Sequence, residues 1–194
     1  MCTGVRFADA AGNLYFGRNL DWCESYGEGV VITPRGASIP TQFLGSLSPE
    51  HACVGMGIVV GGVPCYFDCA NEAGLAIAGL NFPGYAQFAE APEKGAVNVA
   101  AYEFPLWVAA SFSTVAEVRK ALKDVVIVAK APSEGYGVAQ LHWLVGDGKE
   151  SIVIECQADG MHVYDDGLDV LTNQPTFGFH MENLRNYMCV SNEM

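Results

Sequence analysis

Up to residue 90 the chain alternates short apolar runs with glycine and polar breaks, the pattern of strands joined by tight turns. Residues 2–7 and 14–19 flank a loop holding Ala10, Gly12 and Asn13, which predicts an antiparallel hairpin. Pairing Arg6 with Leu14 in that hairpin puts Cys2 opposite Arg18. Further strands are predicted over 29–33, 54–60, 64–69 and 75–80. Between 100 and 123 the pattern becomes helical. Thr114 and Glu117 match a capping box there, and Val115, Val118, Ala121 and Leu122 share one apolar face. Strands return over 125–128, 140–145, 152–156 and 161–164, and 180–188 reads as a helix. Strand runs interrupted by a helical block predict an α+β fold, with helices layered on antiparallel sheet, in one domain without repeat or linker.

Composition narrows the function classes. Ten Lys and Arg against 22 Asp and Glu give a net charge of −12, the opposite of a duplex nucleic-acid binder or a polybasic membrane patch. The longest uncharged apolar stretches fall short of a membrane span: 52–67 has only 16 residues and four glycines, where a spanning helix needs about 20. The N-terminus shows no basic segment followed by an apolar one, so no secretion signal is read. Seven cysteines at irregular spacing then predict reduced thiols in a cytoplasmic protein. The chain ends at 187–194 without a stop signal, which reads as an interruption.

Several motifs predict structure rather than chemistry. Cys65 and Cys69 lack a second ligand pair at zinc-like spacing. Gly55, Gly57 and Gly61 miss the dinucleotide fingerprint by one position and predict a buried glycine-rich strand. His142, between Leu141 and Trp143, reads as a hydrogen-bonded structural histidine, although a Cys–His hydrolase stays formally open.

Cys2 points to chemistry. Once Met1 is removed, its thiol and its free α-amine sit on adjacent carbons, with reference pKa values of about 8.5 and 7.7–8.0. Nucleophile and base then come from one residue. Read alone, Cys2 is far more simply the apolar start of a strand. Arg18 beside it would favour the thiolate, and Asp21 could accept hydrogen bonds from the amine; a surface ion pair is the plainer role for both. Asn81 and Asn173 both stand at strand ends near proline, where an amide can point into a cleft and bind an oxyanion, or close a local turn.

Four ordered blocks resemble the choloylglycine hydrolase family of bile salt hydrolases and penicillin V acylases. They begin at Met1, Tyr15, Asn71 and Leu171 and end at Val5, Trp22, Pro83 and Phe177. The resemblance spans the whole chain. It implies the N-terminal-nucleophile hydrolase fold, an αββα sandwich of two antiparallel sheets between helix layers, here lacking C-terminal strands. It implies Cys2 as nucleophile with its α-amine as proton shuttle, Arg18 and Asp21 positioning it, and Asn81 and Asn173 binding the oxyanion. The substrate implied is a glycine- or taurine-conjugated bile salt, with no cofactor. Asn81 resembles the bile-salt branch, since penicillin V acylases tend to carry tyrosine there. Leu20, Trp22 and Phe67 are placed to line a pocket for the steroid and 128–138 to form a lid, or simply to pack. Family members continue past this end with further strands and another active-site arginine, and the complete protein is expected to form a homo-oligomer, a tetramer in the family. Poor stability and weak activity are therefore expected of the 194-residue chain, with an inactive fragment or scaffold-only relative as the competing reading.

Overall fold

The computed structural model describes residues 1–191; the last three residues of the 187–194 stretch lie outside them. The N-terminal hairpin is β1 (Thr3–Ala8) and β2 (Leu14–Asn19). Its register differs from the expected one: Arg6 faces Phe16, and Gly4, not Cys2, faces Arg18. The turn decides this. The Asp9 carboxylate accepts from the backbone N–H groups of Ala11 and Asn13 and from the Asn13 amide, closing the loop after Ala8. The slip is two residues, and side chains alternate faces with period two, so Cys2 and Arg18 still point to the same side.

Next come β3 (Gly29–Thr33), the small hairpin β4 (Ile39–Thr41) and β5 (Gly45–Leu47), then β6 (Cys53–Val60), β7 (Val63–Asn71) and β8 (Ala76–Asn81). The glycine-rich strand is present but half-buried rather than buried, because β6 exposes Val54, Met56 and Val59. Its glycines serve close strand approach: a Cβ on Gly55 would stand 2.0 Å from the Asp68 carbonyl oxygen of β7.

The helical block is shorter than expected and broken. Its first residue belongs to β9 (Val97–Ala100), which pairs in parallel with β10 (Val125–Val128), Ala100 opposite Val128. Helix α1 (Phe104–Ser111) stops because Phe112 is extended, and the Asn71 amide donates to the Ala109 and Phe112 carbonyls there. Helix α2 (Val115–Ala121) starts afresh at Thr114 with the expected capping box intact. The chain continues through β11 (Leu141–Gly146), β12 (Ser151–Gln157), β13 (Gly160–Asp165), β14 (Val170–Leu171) and helix α3 (Phe177–Leu184), capped by Thr176.

Seven strands form one antiparallel sheet in the order β13-β12-β11-β8-β7-β6-β3, and β14-β1-β2 form a second. Alternation sorts the central side chains onto two faces. Ile77, Trp143, Val145, Ile152 and Ile154 join the α1 and α2 residues in the larger core. Ala78, Leu80, Leu144 and Val153 face the small sheet and pack with Cys2, Leu171 and Phe177. Each fully buried large side chain contributes about 1.5–3 kcal/mol. The sheets approach closely at Gly4, where a Cβ would lie 3.2 Å from Leu144 Cδ2. The result is helices, large sheet and small sheet in three layers. On the outer face of the small sheet Phe7, Tyr15 and Val170 stay exposed.

Candidate active site

Cys2 sits at the start of β1 between the sheets, 4% exposed. Its backbone nitrogen donates to Asn173 Oδ1 at 2.6 Å, and Asn173 Nδ2 donates to the Asn81 carbonyl at 2.8 Å. Asn173 follows β14 and is itself buried, so its amide joins the first strand to the end of β8. One of its two N–H bonds is therefore engaged by Asn81. The side-chain amide of Asn81 makes no hydrogen bond among the described residues, and Asn81 lines the cavity described below.

Arg18 is buried against this point. One terminal nitrogen donates to the Gly79 carbonyl at 2.8 Å, the other lies 3.8 Å from the Asp68 carboxylate, and Nε has no partner. Burial pushes the Asp68 carboxyl up, against the opposing pull of Arg18 and the Met56 N–H. Asp21 lies outside at the surface, where its Oδ2 is 2.6 Å from the Met1 ammonium. The amine that Asp21 holds is that of Met1, whereas the Cys2 nitrogen is held by Asn173.

Cys2, Arg18 and Asn81 share a cavity of about 490 Å³ with Leu20, Trp22 and Phe67. Two loops form its mouth. Residues 20–28 bring Trp22, whose Nε1 donates to the Tyr26 hydroxyl. Opposite stands the loop after β10, which contributes Pro132, Tyr136 and Val138 to the lining; the Tyr26 and Tyr136 rings are 6.4 Å apart. Sequence reasoning missed Tyr26, Ile58, Cys65, Tyr66 and Tyr102 in the wall. Cys65 and Tyr66 had one signal, their place just before Phe67 on a predicted strand; Tyr26, Ile58 and Tyr102 come from segments that only the fold brings together. Desolvation pushes the buried thiols of Cys53 and Cys65 up to about 11 and that of Cys156 up to about 12. They are protonated, poor nucleophiles at neutral pH.

The profile of the choloylglycine hydrolase family, linear amide C–N hydrolases, matches residues 2–194. The chain belongs to this family. It is 61% identical over 195 residues to the bile salt hydrolase/transferase of Bifidobacterium longum subsp. longum, covering 100% of this chain and 61% of that relative. It therefore spans about three-fifths of that relative's length. The C2A mutant of conjugated bile acid hydrolase from Clostridium perfringens superposes with a TM-score of 0.95 at 36% identity, covering 100% of this chain and 59% of that one. Penicillin V acylase from Agrobacterium tumefaciens gives 0.79 at 20% identity over 98% and 58% of the two chains, a likeness of fold alone. The α+β fold is that of the N-terminal-nucleophile hydrolases. No helix of the described residues is long and apolar enough to cross a membrane.

Proposed function

We propose that the chain carries the nucleophile-bearing part of a bile salt hydrolase, an amidase that cleaves glycine- or taurine-conjugated bile salts. The observation that supports this best is the convergence of Cys2, Arg18 and Asn81 on one largely apolar cavity, with Cys2 N held by Asn173. With Met1 gone, the Cys2 α-amine takes the thiol proton as sulfur attacks the amide carbonyl. The free amide of Asn81 donates to the oxyanion, and the second Asn173 N–H is available to help. Collapse breaks the C–N bond, and the amine's proton goes to the leaving glycine or taurine. Water then adds to the thioester, giving its proton to the α-amine, and the bile acid departs as the thiol reforms. Arg18 favours the thiolate, and Asp21, relieved of Met1, takes the new ammonium. Leu20, Trp22 and Phe67 offer the steroid an apolar wall. No cofactor is required. The complete protein is proposed to form a homo-oligomer and to act in the bacterial cytoplasm on small-molecule substrates, without nucleic acid or membrane insertion.

The test is glycine release from glycocholate by protein whose N-terminus is verified by mass spectrometry. Cys2→Ala should abolish release, whereas Cys69→Ala, buried and far up in pKa, should change it little. The kcat/KM for glycocholate should exceed that for penicillin V. Full turnover by protein retaining Met1 would sink the mechanism, and faster cleavage of penicillin V would reverse the substrate assignment.

A further inference from the structure

The proposed chemistry rests on Asn173, yet Asn173 stands in an irregular stretch between β14 and α3. Two histidines hold its backbone. His142 Nε2 bonds the Thr172 carbonyl at 2.8 Å, and His180 Nε2 bonds the carbonyl of Asn173 itself at 3.0 Å. A carbonyl can only accept, so each Nε2 carries a proton. The His142 ring is fixed from its other side: Nδ1 lies 2.9 Å from Glu155 Oε1, and both side chains are completely buried. Glu155 also accepts from the Phe177 N–H at 2.9 Å, the far end of the same stretch, and from Gln157 Nε2 at 2.9 Å. The imidazole stacks on Phe82, centroids 4.3 Å apart and planes 6° from parallel. Phe82 follows Asn81, whose carbonyl takes the Asn173 amide.

We propose that His142, Glu155 and His180 are positioning residues that fix Asn173, and through it Cys2 and Asn81, at the reactive geometry. The inference rests on the reading of Cys2 as nucleophile. A buried ionisable pair is weak evidence for stability, since apolar residues of similar volume often serve as well. Its particular contribution here is direction: hydrogen bonds at both ends of 172–177. A proton on either side of the His142–Glu155 contact leaves the pair's net charge unchanged and the Nε2 donor in place. Misplacement by about 1 Å can cost roughly 10²-fold in rate, so a loosened Asn173 matters to chemistry before it matters to the fold.

The experiment measures the iodoacetamide alkylation rate of each cysteine, located by peptide mass, in chain freed of Met1. In the unaltered chain Cys2 should react faster than exposed Cys23; a slower Cys2 would overturn the nucleophile reading and this proposal with it. Given a fast Cys2, Glu155→Gln and His180→Phe should each slow it at least fivefold and leave Cys23 unchanged. His180→Gln, which keeps an N–H donor, should recover at least half of the loss. A merely structural role predicts the opposite sign, because a loosened fold exposes Cys2 and Cys53 together and speeds both. That outcome, or rates within twofold of the unaltered chain, overturns the proposal while the nucleophile reading stands. Should Glu155→Gln fail to fold, the half-buried His180 variants decide alone.

Discussion

At the scale of single residues, Asn173 bears the most. It accepts from Cys2 N and donates to the Asn81 carbonyl, a hydrogen-bonded bridge between the two sheets. Asn173→Ala leaves a buried donor and an acceptor unpaired, a cost of about 1–3 kcal/mol for such a group. The same change frees the nitrogen proposed as the base. Glycine release should therefore fall by roughly 10²–10³-fold, the typical effect of losing one oxyanion-hole donor. Urea unfolding and glycocholate kinetics measure the two effects separately. A normal rate in a destabilised variant would leave Asn173 a purely structural bridge.

Two elements meet where α2 begins, and each gives a prediction. Thr114 caps the helix through the Glu117 N–H, and the Glu117 carboxylate returns to the Thr114 N–H. Thr114→Ala should cost about 1 kcal/mol, seen as a lower Tm. Asp147, in the turn between β11 and β12, also reaches this helix by accepting from Val115 N. Burial works to raise its pKa, but the N–H groups of Val115, Lys149 and Glu150, with Arg6, outweigh burial and hold the carboxyl below the usual range. A folded value below the unfolded one contributes stability that is present above the unfolded pKa of about 3.9 and lost as pH falls through the folded value. Asp147→Asn should lower stability at neutral pH and flatten the acid limb below about pH 4. Denaturant midpoints measured across that range provide the check, and an unchanged slope would assign the acid limb to other carboxylates.

At the scale of the whole molecule, the accessible surface is 10380 Å², above the roughly 8,900 Å² expected of a compact protein of this mass. Part of the excess is apolar and lies at a sheet edge. β3 ends the seven-stranded order, and Val30 and Ile32 on it are 71% and 69% exposed. Val54, opposite Ile32 on β6, is 48% exposed. An unpaired edge beside an apolar face favours association. Ile32→Lys with Val54→Thr should reduce dye binding to exposed apolar surface and remove concentration-dependent elution, leaving the melting profile nearly unchanged. Elution that stays concentration-dependent would point instead to Phe7, Tyr15 and Val170 on the small sheet.

The sequence by itself determined what neighbouring residues settle among themselves. Period-two apolar runs between turn residues placed most strands, and Thr114 with Glu117 marked the start of α2 correctly. The ordered blocks that carry Cys2, Arg18, Asp21, Asn81 and Asn173 were legible; the fold sets Cys2, Arg18 and Asn81 on one cavity, bonds Asn173 to Cys2 N and leaves Asp21 at the surface against Met1. Tertiary structure decided what depends on distant partners. The Asp9 turn moved the hairpin register by two residues; strand pairing claimed Ala100 for β9; Asn71 ended α1 from another layer. Asn173 bonds Cys2 from 171 residues away. The structural reading of His142 was correct as far as local pattern reached, but its hold on the Asn173 stretch was invisible. A histidine in an apolar strand shows that a buried polar group needs partners, and only the packed fold supplies Glu155 and Thr172.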